Sequence, residues 1–220
     1  MHIPDSLLPP AIAIGGYAIT GGTTWYALRQ INKDHDPTQN IPKASLLTAA
    51  FFVASLIHFP VPPSSIHLIL NGLMGIILGY YAFPAILIGL FFQAVLFGHG
   101  GISTLGVNAL LMGIPALYAH HCYQWGQGWV KKYPLGSTIW TFFTSASALL
   151  LSAFLFVSVV IANIPADLDT DLERQAILIS MIGYGIQSLI EGTIGVMVVS
   201  FLWRVKPELL PHGGERGSPF

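Results

Sequence analysis

Charge is what this sequence has least of. Only 9% of its 220 residues are Asp, Glu, Lys or Arg, while 53% are hydrophobic; an average soluble domain carries roughly 25% charged residues. Mean hydropathy is +0.66. The shortage is also concentrated, because no charged residue occurs between Lys43 and Lys131. A soluble chain could not cover its surface that way, whereas several bilayer crossings could use it. A basic excess is missing too: 9 Lys and Arg stand against 10 Asp and Glu, a net charge of −1. That leaves no basic stripe and excludes a nucleic-acid partner. A single cysteine, Cys122, excludes an intrachain disulfide and a thiolate metal centre. There is no phosphate-cradling Gly-x-x-x-x-Gly-Lys and no dinucleotide-type Gly-x-Gly-x-x-Gly following a strand. Uphill movement of a solute would therefore draw on a gradient or on another subunit.

What is present reads as an all-α polytopic membrane protein. Apolar runs bounded by Pro, Gly or charge predict about seven transmembrane helices, at 9–29, 44–60, 66–82, 84–98, 105–125, 138–162 and 174–203. The runs at 66–82 and 84–98 are short for a bilayer that takes about 20 helical residues. They could be little tilted, broken, or merged at Phe83-Pro84. Residues 1–203 form a single transmembrane domain in this reading, and 204–220 form a polar cytoplasmic tail.

Orientation follows from the basic residues. With the N-terminus outside and the C-terminus cytoplasmic, Arg29, Lys33, Lys43, Lys131, Lys132, Arg204, Lys206 and Arg216 all fall inside. Only Arg174 falls outside, beside Asp167, Asp169, Asp171 and Glu173, which is the positive-inside pattern. Met1-His2-Ile3-Pro4-Asp5 lacks the basic segment and cleavage site of a signal peptide. The start is therefore expected to persist, with Met1 retained.

This orientation sorts eight histidines. His35, His120, His121 and His212 face inward, while His2, His58, His67 and His99 share the outer side. Imidazole suits borderline transition metals. His2 adds a chelate: the Met1 amine, the His2 amide nitrogen and His2 Nδ1 can bind one metal in two fused rings, with loss of the amide proton. A fourth nitrogen would complete a square-planar set, the geometry of Ni(II) or Cu(II). His67 is the candidate, one turn into a helix whose start is marked by Pro62-Pro63-Ser64-Ser65, with the serines as N-caps. Each of these histidines taken alone also reads as an interfacial or loop residue; their shared side and the position of His2 favour metal.

The segment from Gly98 to Thr104 is too rich in glycine for a helix and suits a cavity lining. Ser65, Gln93, His99 and Asn108 are candidates to hydrogen-bond to the ligands and orient them. Glu191 is the one carboxylate deep in a predicted helix, with Gln187 and Tyr184 on the same stripe. Such a group is costly in a membrane and marks a function, either a structural hydrogen bond or a proton relay. The sequence places it outside the metal site.

Three motifs carry a family likeness: Met1-His2-Ile3-Pro4-Asp5, Ser64-Ser65-Ile66-His67-Leu68, and the run from Phe97-Gly98-His99-Gly100-Gly101 through Thr104 to Asn108-Ala109-Leu110. The sequence resembles the CbiM/NikM family, the substrate-specific membrane components of energy-coupling-factor cobalt and nickel transporters. The resemblance implies capture of Co²⁺ or Ni²⁺ as transported substrate through Met1, His2 and His67. It further implies a transmembrane coupling component, two ATPase subunits that alone use ATP, and usually a small accessory membrane protein. A multi-pass location in the inner (plasma) membrane and a link to cobalamin biosynthesis go with it. No accessory segment follows residue 203, which leans toward cobalt without deciding the metal. Two rival classes are an intramembrane hydrolase, for which no Ser-His pair lies within a helix interior, and a haem-binding electron-transfer subunit, for which the histidines lie at helix ends rather than at matched depth.

Overall fold

The computed structural model describes residues 1–5, 7–61, 64–130, 135–164 and 170–210. Seven α-helices account for most of them: α1 (Pro10–Ile31), α2 (Ile41–Ala54), α3 (Asn71–Leu78), α4 (Ala82–Phe97), α5 (Leu105–Val130), α6 (Gly136–Ala162) and α7 (Thr170–Val205). Pro9 precedes α1 and Pro10 opens it, where a missing N–H costs nothing. A short 3-10 turn joins α3 to α4, and another, Pro207–Leu209, follows α7.

The chain departs from an all-helical expectation in one place. The second helix ends at Ala54, and His58–Val61 (β1) pairs antiparallel with Ser64–His67 (β2). His67 therefore ends a strand opposite His58, and Ser64 and Ser65 lie in the ribbon, so they are not helix N-caps. The physical reason is local. Pro60, Pro62 and Pro63 withhold backbone donors over a few residues, so a helix cannot run through them, whereas a short ribbon tolerates proline at its end.

The two short apolar runs are neither merged nor continuous. Asn71 Nδ2 donates to the Met112 carbonyl at 3.4 Å, and Gly79 faces His120 further along α5, so α3 runs parallel to α5. Phe83 packs on Gly113, while the far end of α4, at Gln93, reaches the N-terminal segment that Asn108 holds. Thus α4 runs back antiparallel. Three stretches are long and apolar enough to cross a membrane: Asn71–Phe97, Gly136–Ala162 and Glu173–Val205. The first of these contains the reversal. Gly79 makes the reversal with φ +59° and ψ −127°, a conformation closed to residues with a Cβ.

α5 is central, packing against α1, α3, α4 and α6. The core joins Met74, Ile86, Met112, Leu149 and Ala153, and Met1 itself is part of it. At one end of the bundle lies the start of the chain. At the other, Tyr81 donates to the Pro37 carbonyl at 2.7 Å and Lys43 to the Leu209 carbonyl at 3.2 Å.

Candidate metal centre

The N-terminal pentapeptide is threaded into the bundle rather than left in solvent. Ile3 is completely buried. Its N–H donates to Asn108 Oδ1 at 2.9 Å, and its carbonyl accepts from Asn108 Nδ2 at 3.1 Å and from Thr104 Oγ1 at 2.6 Å. Asn108 in the first turn of α5 and Thr104 just before it thus replace the backbone pairing that a buried extended segment must find. Asp5 anchors the next step, accepting from the Ser103 N–H and hydroxyl at 2.8 Å each. Those bonds hold its carboxyl below the usual range. A Cβ on Gly101 would lie 1.8 Å from Asp5 Oδ1, so this approach requires glycine there.

Held this way, the start of the chain meets His67. The Met1 amine nitrogen is 3.1 Å from His67 Nε2, and both residues are buried. The His2 ring centroid lies 4.9 Å from that of His67 and 5.7 Å from that of His99. His67 Nδ1 faces the Leu68 carbonyl at 3.3 Å, an arrangement that leaves the Nε2 lone pair turned to the amine. His2 Nε2 sits 2.9 Å from Gln93 Oε1, so Gln93 favours the tautomer in which His2 Nδ1 keeps its lone pair. Two nitrogens bound to one metal at right angles lie about 2.8 Å apart, given bonds of about 2.0 Å. The amine and His67 already stand close to that spacing.

Among the described residues, no group of three His, Cys, Asp or Glu side chains is arranged to hold a metal ion. A centre here would depend on main-chain nitrogen, which the first two residues alone can offer in chelating form. Burial pushes the Met1 amine down from 8.0 to about 5, with attraction to Glu191 acting in the opposite sense. A neutral amine is a donor, while an ammonium is not.

The sequence candidates fare differently in space. Met1, His2 and His67 come together; Gln93 touches His2; Asn108 acts through Ile3; His99 brings its ring beside His2. Ser65 lies opposite Pro60 in the ribbon, and its side chain lies outside the described residues. His120 and His121 lie further along α5, with tilted rings whose centroids are 5.0 Å apart. Two supports were not assigned to this cluster from sequence. Gln187 Nε2 donates to the His67 carbonyl at 2.5 Å, and Glu191 accepts from the Ile69 and Leu70 N–H groups. The Tyr184-Gln187-Glu191 stripe was visible, but nothing in it says which element it faces.

The family described as "Cobalt uptake substrate-specific transmembrane region", CbiM, matches residues 2–209. The chain belongs to the CbiM family. It is 39% identical over 124 residues to a Haemophilus influenzae protein named for metal transport, a match covering 56% of this chain and 58% of that one. It is 34% identical over 116 residues to the fused nickel transport protein NikMN of Rhodobacter capsulatus, covering 52% of this chain and 33% of that one. It is 38% identical over 117 residues to the cobalt transport protein CbiM of Clostridium tetani, covering 52% of this chain and 48% of that one. The matched segment is thus about half the length of these relatives or less. A solved transition metal transporter shares the fold of this CbiM-family chain, with TM-score 0.75 and 24% identity over 94% of each chain.

Proposed function

We propose that this chain captures Co²⁺ or Ni²⁺ as the substrate-binding component of an energy-coupling-factor uptake system. The metal would be held by the Met1 amine, the His2 amide nitrogen, His2 Nδ1 and His67 Nε2. The observation that carries the reading is the 3.1 Å approach of the Met1 amine to His67 Nε2 inside the bundle. A buried amine facing a buried imidazole has no packing value that an apolar pair would not exceed, and a shared cation explains it. Nitrogen donors also suit Co²⁺ and Ni²⁺ better than they suit Mg²⁺ or Ca²⁺.

In this reading residues 1–203 cross the bilayer seven times, with the N-terminus outside, and 204–220 form a cytoplasmic tail. Lys43 lies at the end of the bundle remote from the metal centre, which supports that orientation by the positive-inside rule. Lys131, Lys132, Asp167, Asp169, His212 and Arg216 lie outside the described residues. The partners are a transmembrane coupling protein, two ATPase subunits and a small accessory membrane protein, in the plasma membrane.

The test uses the detergent-purified full chain with its native start, loaded with Co²⁺ or Ni²⁺ and assayed by elemental analysis. About one metal per chain is expected. One residue added before Met1, or His2→Ala, or His67→Ala, should abolish loading. Equal loading with the extended start would rule out the amine chelate.

A further inference from the structure

Glu191 is the one buried carboxylate among the described residues, 3% exposed on α7. Its surroundings are specific. Oε1 accepts from the Ile69 N–H at 2.6 Å and from Gln187 Nε2 at 3.0 Å, and Oε2 accepts from the Leu70 N–H at 2.9 Å. Three donors thus converge on one carboxyl, and both of its oxygens act as acceptors. The residues it holds are the extended link between His67 and α3. Leu70 has φ 57°, a left-handed conformation that a leucine keeps only when its surroundings impose it. Non-helical backbone within a membrane domain needs internal partners, and Glu191 supplies two of them. Gln187 holds the His67 carbonyl on the same stripe.

Charge adds a second role. The ligand set proposed above is three neutral nitrogens and one amide anion, so a bound dication would leave a net charge of +1. A buried uncompensated charge is expensive. Glu191 holds the backbone two residues from His67, and Gln187 bonds both its Oε1 and the His67 carbonyl, so an ionised Glu191 would bring the loaded site to neutrality. We propose that Glu191 is a positioning residue and the counter-charge of the bound metal: it fixes the backbone that presents His67 and selects a dication. This inference rests on the metal-capture reading.

Ni²⁺ affinity of the full chain, native start, decides it. Glu191→Gln should weaken binding on the order of tenfold to a hundredfold, as one unit charge near the metal does at an effective dielectric near 20. Glu191→Asp keeps the charge and should lose clearly less. The Ni²⁺ absorption band of Glu191→Gln should match the unsubstituted chain, since the four nitrogens are unchanged. Wild-type affinity in Glu191→Gln, or equal losses in the two variants, would overturn the counter-charge. Should Glu191→Gln not fold, infrared spectra of the unsubstituted chain decide: an ionised buried carboxylate in the loaded form supports the inference, and a protonated one overturns it. The extended-start chain is run alongside. If it binds like the native start, the ligand set itself is wrong and the Glu191 role falls with it.

Discussion

His2 Nε2 lies 2.9 Å from Gln93 Oε1, a contact that favours leaving Nδ1 for a metal. Gln93→Leu should keep the fold and lower Ni²⁺ affinity by about 10- to 100-fold, the usual loss when a ligand histidine loses its orienting partner. Isothermal titration would read it, and an unchanged affinity would show that His2 is oriented otherwise. The Met1 amine has a consequence for pH. Its value of about 5 in the folded chain lies below its ordinary 8.0, so between these values the unfolded chain binds more protons. The folded state therefore gains stability as pH rises through that window and loses it as pH falls from 8 toward 5. Metal-free melting temperature should follow that slope. A chain extended by one residue carries its amine outside the pocket and should flatten it.

At the scale of elements, the contact of α3 with α5 matters most, because α3 follows directly from His67. Gly75 lets the two helices touch: a Cβ there would lie 2.0 Å from the Ala116 carbonyl oxygen. Gly75→Val should cost about 1–3 kcal/mol through overpacking and should weaken metal loading along with it. Thermal unfolding in detergent is the measurement, and an unchanged midpoint would mean that the helices separate without penalty. Gly75 and Gly79 divide two tasks on this helix: the first permits close packing, and the second turns the chain with a positive φ. The ribbon at 58–67 was masked, because β-branched and apolar residues in a membrane chain read as a helix unless the prolines are weighed first.

For the whole molecule, the seven crossings proposed above would place the two ends of each helix on opposite sides of the bilayer. In a Cys122→Ala background, His35→Cys should react with an impermeant thiol reagent only from the cytoplasmic side, and Asn163→Cys only from outside. Labelling of both from one side would overturn the topology.

The sequence by itself determined the class and the raw materials. Scarcity of charge requires a membrane domain, the lysines and arginines carry the expectation for its sides, and His2 and His67 are the proposed nitrogen donors. These are properties of composition and spacing, which need no fold to be read. Only the tertiary structure decided that His67 ends a strand, that α3 and α4 reverse on each other, and that Asn108 and Thr104 hold the backbone of Ile3. It also brought Glu191 to the backbone after His67, across more than 120 residues of chain. Buried polar groups must find partners wherever the packing puts them, and the pairing of distant segments is set by packing, which local pattern does not encode.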